Sequence, residues 1–283
     1  MHLADAVKTL INRQGLQPIA LPLFNGLARV RHGSVERIFL DHGLWIHQTR
    51  RGYFAYHQPY LRLDLRRLDE SARRNFLWGF EPGPGDTIVD VGAGAGEETL
   101  TLSRAVGESG KVVCIEAHPR TFRCLEKLVH YNRLTNVILV HAAAAEPGRA
   151  YVSIEDGGEY LANRVGAFGV TVAASTIDQI CARLNLGRIN FLKMNIEGAE
   201  RLAIQGMSET LRQTQVLCIS CHDFLARRCA DSTLRTKKEV RQFLEHAGLE
   251  VIGRSDPALP AYIQDQLWAY NRSKLKYRAP AWS

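Results

Sequence analysis

The sequence predicts an α/β protein built on a doubly wound, mostly parallel sheet of seven strands, with an antiparallel last strand and an N-terminal extension of a helix and β-hairpins. Three observations predict it. From Asp86 onward, short β-branched runs alternate with helical patterns. The run Thr87-Ile-Val-Asp-Val91 passes directly into Gly92-Ala-Gly-Ala-Gly96 and then into a helix start, the strand–turn–helix unit that cradles a nucleotide at the carboxyl end of a parallel strand. The chain closes as a strand, a helix and two further strands, near Glu250–Gly253 and Gln266–Asn271.

The elements follow in order. Residues 1–14 carry Leu3, Val7, Leu10 and Ile11 on one stripe and predict an amphipathic helix. Residues 15–33 contain Pro18, Pro22, Gly26 and Gly33 and read as loop or short strands. From Val35 to Leu65 the pattern alternates, punctuated by Gly43 and Gly52, which predicts hairpins. Residues 69–80 read as a helix leading through Pro82-Gly-Pro-Gly85 to the core. Residues 1–80 thus form a cap whose Tyr53, Tyr56, His57 and Tyr60 either line a substrate pocket or only pack. The main domain spans 81–273. Its strands are 87–91, 111–115 ending at Glu116, 137–141, 190–195 and 216–220, with helices over 97–106, about 120–132, 175–185, after Glu200 to about 212, and 236–247. A hairpin occupies about 150–173. Residues 274–283, with Lys274, Lys276 and Arg278, form a basic, frayed tail.

Composition narrows the function. With 283 residues and 46% hydrophobic content the chain can bury a large core without disulfides. Its 36 basic against 29 acidic residues leave a charge of +7, but no basic run reaches five, so nucleic acid is not the expected partner. No apolar run approaches the ~18 residues of a membrane span. Asp5 and Lys8 interrupt the N-terminal apolar pattern, so no secretory signal is read and a soluble, cytoplasmic protein is expected. Of six cysteines only Cys218 and Cys221 have C-x-x-C spacing. On a strand they face opposite sides, so buried reduced thiols are expected and no metal site. A homo-oligomer is compatible with all of this.

The ligand is read from the glycine turn. The dinucleotide fingerprint G-x-G-x-x-G places its third glycine where this chain has Glu97. A carboxylate at that helix start repels a pyrophosphate but tolerates a ligand with sulfonium and ammonium charges. With Asp90 ending the strand, the D-x-G-x-G-x-G pattern points to S-adenosylmethionine. Glu116, 20 residues beyond Gly96, is placed to accept hydrogen bonds from ribose hydroxyls, a device shared with NAD sites, so a nicotinamide oxidoreductase stays an alternative. The expected cofactor contacts are Asp90, Gly92, Ala93, Gly94, Gly96, Glu97, Thr99, Glu116, Ala117, Ala143 and Asn195. Ala142 and Ala143 offer a flat floor for the adenine, with His141 and Glu146 nearby.

Strand four leaves the sheet through Asn195-Ile-Glu-Gly-Ala-Glu200, where Asn195 and Glu197 face the ligand crevice. Glu200 complements the dipole of the following helix. Together, Gly85-Asp86, Asp90-Val-Gly-Ala, Glu116-Ala-His-Pro119 and Lys193-Met-Asn-Ile-Glu-Gly-Ala-Glu200 resemble the FkbM-type methyltransferases over about residues 80–225. The resemblance implies a Rossmann-like class I methyltransferase sheet and methyl transfer from S-adenosylmethionine to a hydroxyl of a sugar, glycan, glycolipid or polyketide-type acceptor. It implies cofactor contacts at Asp90, Gly92, Ala93, Gly94 and Glu116. The family usually carries Asp where this chain has Asn195, which keeps a carbonyl acceptor and loses the charge. His222 matches a histidine found after strand five. A hydroxyl acceptor needs its proton removed, so His222 is the first choice for general base, with Glu197 second or orienting, and Asn195 beside them. An RNA methyltransferase, motivated by the positive charge, is the other alternative.

Overall fold

The computed structural model describes residues 15–30, 34–61, 63–155, 164–165, 168–229, 232–254 and 256–274. The expected helix over 1–14 and nearly all of the basic tail lie outside these residues.

The N-terminal part begins with a helix, α1 (Gln17–Val30), where the prolines and glycines predicted loop or short strands. Tertiary docking overrides local propensity here. Phe24 and Ala28 are buried, and Asn25 clamps the neighbouring strand from both sides: its amide donates to the Ile38 carbonyl and its Oδ1 accepts from the Ile38 N–H, both at 2.8 Å. Strands β1 (Val35–Asp41), β2 (Leu44–Thr49) and β3 (Gly52–Tyr56) form the expected antiparallel meander. The next helix, α2 (Leu65–Phe76), starts four residues earlier than its pattern predicts. Asp64 caps it, accepting from the Arg66 and Arg67 N–H groups.

The core alternates as expected. In chain order it comprises β4 (Thr87–Val91), α3 (Glu97–Val106), β5 (Lys111–Glu116), α4 (Pro119–Asn132) and β6 (Val137–His141). After the short β7 (Ala143–Ala144), β8 (Tyr151–Glu155), β9 (Arg164–Val165) and β10 (Val170–Ser175) build a small side sheet in the order β7-β10-β8-β9. Then come α5 (Ile177–Arg183), β11 (Ile189–Met194), α6 (Glu200–Ala203), α7 (Ser208–Gln213), β12 (Thr214–Ser220) and α8 (Asp223–Cys229). The chain continues with α9 (Lys237–His246), β13 (Glu250–Gly253), α10 (Ala261–Gln264) and β14 (Gln266–Tyr270). A 3-10 turn, Ile204–Gly206, separates α6 from α7, so the predicted helix to 212 is broken. No helix among the described residues is long and apolar enough to cross a membrane.

The main sheet has seven strands in the order β13-β14-β12-β11-β4-β5-β6, all parallel except β14. The strands are covered on both faces, and all seven residues of β12 are buried. One face packs Val89, Val91, Ile115, Leu192 and Ile219; the other packs Ile88, Val112, Phe191, Cys218 and Trp268. Each such aliphatic side chain contributes roughly 1.5–3 kcal/mol through burial. Cys218 and Cys221 are buried free thiols. The order places β4 at the centre, where the chain turns from building toward β6 to building toward β12. That is the switch point at which a crevice opens beyond the carboxyl strand ends. The hairpin cap docks behind it, β3 against α4, with Tyr53 and Tyr131 rings 5.5 Å apart.

Candidate active site

The site starts at the end of β4. Gly92 and Ala93 both donate to the Ile115 carbonyl, at 2.8 and 3.1 Å, which folds the turn back over the sheet. Gly92 has φ +78°, and a Cβ there would overlap the Asn195 carbonyl. Asn195 in turn donates its N–H to the Val91 carbonyl at 2.9 Å. The glycine turn and the loop after β11 are therefore in backbone contact. Gly96 serves a different purpose: it faces Leu125 and Leu128 of α4, and is a packing position rather than a contact with the cleft.

Beyond the turn lies a cleft of about 590 Å³. Gly92, Ala93, Gly94, Glu97, Glu116, Ala117, Ala143, Asn195, Glu197 and His222 all line it, as their strand-end positions predict. Asp90 and Thr99 do not. Thr99 is buried in the core against the Cys114 thiol, 3.4 Å away, because helix α3 turns that residue toward the sheet. Asp90 lies inside the sheet, 2.8 Å from the ammonium of Lys193 on the adjacent strand. His141 stacks on Phe122 outside the cleft, and Glu146 lines a smaller neighbouring hollow while pairing with Arg149.

The end of the cleft beside the glycine turn is acidic. Glu116 Oε2 accepts from the Gly94 N–H at 2.9 Å and Oε1 from the His118 N–H at 2.8 Å, so two amides fix the carboxylate while burial pushes its pKa up. Glu97 is held by the Tyr56 hydroxyl, which donates to it at 3.0 Å. Glu98 beside it is pushed up to about 7 by burial, against the nearby Lys193 ammonium. The aromatic cap residues split accordingly. Tyr56 braces a lining residue, His57 lies 3.4 Å from the Cys124 thiol, and none of Tyr53, Tyr56, His57 and Tyr60 is in the lining.

Lys193 is a site residue that the sequence analysis did not single out. It lines the cleft, donates to the Gly92 carbonyl at 2.8 Å and pairs with Asp90. Burial works against its charge, but Asp90 and Glu98 outweigh burial and raise its pKa. A lysine in the middle of a buried strand is the available signal: such a charge demands a partner on the next strand. The roof was also missed. Ser71, Asn75 and Phe76 of α2, together with Phe224 and Tyr262, close the far side.

Past Asn195 the loop carries Glu197 in the left-handed region (φ +52°) followed by Gly198. Glu197 Oε2 lies 3.3 Å from His222 Nε2, and Glu200 Oε1 lies 2.8 Å from His222 Nδ1. Glu200 is fully buried, and its Oε1 also accepts from the Ile196 and Gly198 N–H groups at 3.2 Å, so it organises the loop rather than only complementing a helix dipole. Burial opposes the imidazolium, but the two carboxylates override it and push His222 up to about 10. The charged form of His222 is thus favoured, and Glu197 is the carboxylate of this array that borders the cleft.

The residues fit a ligand that is cationic at one end. Glu97, Glu98 and Glu116 converge on the space beside the glycine turn, with Lys193 as the opposing charge. A pyrophosphate would meet those carboxylates, so the nicotinamide alternative finds no support in the site. A sulfonium and an ammonium group are attracted to it. Gly92 and Gly94 allow close approach, Glu116 offers its remaining lone pairs to a ribose, and Ala142 and Ala143 give an apolar floor.

The chain is similar to several known proteins. Residues 90–251 match the model of the methyltransferase FkbM domain. Among curated proteins, the catalytic subunit of tRNA (adenine(58)-N(1))-methyltransferase from Yarrowia lipolytica is 24% identical over 155 residues, 51% of this chain and 39% of that protein. Its counterpart from Cryptococcus neoformans is 38% identical over 64 residues, 23% and 15% of the two chains. The chain therefore spans well under half the length of these relatives. Among solved structures, the FkbM methyltransferase of Methylobacillus flagellatus aligns with a TM-score of 0.49 at 17% identity, over 90% of this chain and 60% of that one. Aeropyrum pernix fibrillarin with natively bound S-adenosylmethionine aligns at 0.44 and 14%, over 84% and 99%. With the family match covering more than half of its residues, the chain belongs to the FkbM methyltransferases, S-adenosylmethionine-dependent enzymes of the class I fold.

Proposed function

We propose that the chain methylates a hydroxyl group of a small-molecule or glycan acceptor. The observation that carries this reading is the Glu197–His222–Glu200 array at the cleft beside Asn195. S-adenosylmethionine, when bound, supplies a methyl group on a sulfonium, open to in-line displacement. An alcohol nucleophile must also lose its proton as the new C–O bond forms and the C–S bond breaks. Glu197 is the group that receives this proton. His222, charged and donating to Glu197, orients that carboxylate, and Glu200 holds His222 from behind. Asn195 offers an amide carbonyl and an N–H₂ to align the acceptor without adding charge. The acidic donor end attracts the cofactor's cationic groups, and Glu116 engages its ribose.

Glu197→Gln removes the proton acceptor and keeps its shape. Turnover is expected to fall by about 10²–10⁴-fold, while calorimetric affinity for S-adenosylhomocysteine stays within about twofold, since Glu197 binds no part of the donor (1.4 kcal/mol corresponds to tenfold). Parallel losses in both quantities would refute the assignment. A second reading, an RNA acceptor, draws support from the match to the tRNA methyltransferase subunits and from the charge of +7. Steep salt dependence of nucleic-acid binding would favour it.

A further inference from the structure

Glu97, Glu98, Glu116 and Glu197 all line the cleft, and all but Glu98 are held by a neighbour. Tyr56 donates to Glu97, the Gly94 and His118 amides donate to Glu116, and His222 stands beside Glu197. Glu98 sits in the first turn of α3. Among the described residues only its own N–H donates to it, and no cation stands at ion-pair distance. Lys193 attracts it from farther off, but that ammonium is committed to Asp90 and to the Gly92 carbonyl, each at 2.8 Å. Withdrawal from water without a close counter-charge is what pushes the Glu98 carboxyl up to about 7. The reaction proposed above makes no use of this group. A cation that also carries N–H donors would satisfy it.

The sheet order says which cation. Glu116 ends β5, and Ala142 and Ala143 follow β6, so the proposed ribose and adenine contacts lie on one side of β4. Glu98 packs toward the other side. With Phe76 of α2 and Lys193 of β11 it borders a small void between α2, α3 and β11, and the Lys193 ammonium lies 5.0 Å from the Phe76 ring centre. A donor whose nucleoside rests over β5 and β6 turns its amino-acid end this way. Of its two positive groups, the sulfonium has no hydrogen to donate, whereas the α-ammonium is a charged N–H donor matched to a carboxylate.

We infer that Glu98 binds the α-ammonium at the amino-acid end of the donor, and so separates S-adenosylmethionine and its product from nucleosides that lack that end. The inference concerns the donor alone and holds whatever the acceptor is. Its structural rival is a first-turn acid that only complements the dipole of α3.

Glu98→Gln keeps the shape and removes the charge. Calorimetry on the full chain compares S-adenosylhomocysteine with methylthioadenosine, which has the same nucleoside and thioether sulfur but no amino acid. Affinity of the variant for S-adenosylhomocysteine is expected to fall by about tenfold or more, while affinity for methylthioadenosine changes by less than about twofold. The urea midpoint of the free chain is the second measurement, and it decides even where methylthioadenosine binds neither protein. Because Glu98 has no close partner in the fold and Lys193 keeps Asp90, the variant is expected to unfold at no lower urea concentration than the wild type. The dipole role expects the reverse, a lower midpoint with undiminished binding. Unchanged affinity for S-adenosylhomocysteine, an equal loss for both ligands, or a lower urea midpoint overturns the inference.

Discussion

Glu200→Gln isolates what the buried carboxylate does. The substitution keeps size and most hydrogen-bonding capacity but leaves the His222 imidazolium with one carboxylate, Glu197, in place of two. Both His222 and Glu200 are essentially without solvent contact, so little water is available to compensate. The wild-type array holds His222 at about 10 against an ordinary value of 6.5. One pKa unit corresponds to about 1.4 kcal/mol, so the net stabilisation linked to this proton, after the cost of burying the imidazolium, is on the order of 5 kcal/mol. Losing one partner of a buried pair costs roughly 3–5 kcal/mol. The sign follows from linkage. Because the folded pKa is raised, the contribution is fully present below about 6.5 and disappears as pH climbs through about 10. Urea denaturation of wild type and Glu200→Gln at pH 6, 8 and 10.5 is the assay. Destabilisation of about 3 kcal/mol or more at pH 6, shrinking at pH 10.5, is expected. A difference below about 1 kcal/mol at pH 6, or one that does not change with pH, would refute the charged array.

Two further outcomes follow from the same geometry. Glu116→Ala removes the carboxylate expected at the ribose and leaves the Gly94 and His118 amides unanswered, so calorimetric affinity for S-adenosylhomocysteine should fall by about tenfold or more; unchanged affinity would count against the ribose role. Lys193→Met strands the Asp90 carboxylate inside the sheet and should destabilise the fold by roughly 3–5 kcal/mol. Adding Asp90→Asn should recover part of that loss in chemical denaturation, and strict additivity of the two substitutions would contradict a direct pair.

Much of the core was legible because its signals are local. Thr87–Val91, the glycine turn and Glu116 each announce themselves by residue type at fixed spacing, and the seven-strand order follows from helices that alternate with strands. What escaped depends on partners distant in sequence. The helix Gln17–Val30 exists because Asn25 and Phe24 dock on the hairpin, which its prolines do not reveal. Thr99 and Gly96 sit inside the motif window yet turn toward the core and α4, since helix periodicity decides which residues of a motif face the ligand. The carboxylate setting of His222 was hidden because it needs Glu197 and Glu200 on opposite sides of one ring, a coincidence of a left-handed loop and a buried helix start.

The absence of a side chain at residue 92 has a wider consequence. Where the Gly92 main chain meets the Asn195 carbonyl, there is no room for even a methyl group between the glycine turn and the loop after β11. In the proposed reaction the spacing of donor and acceptor is thereby set at this point by backbone, beyond the reach of surface substitutions. A substitution at Asn75, Phe76 or Tyr262, which line the cleft from other elements, would leave that spacing unchanged.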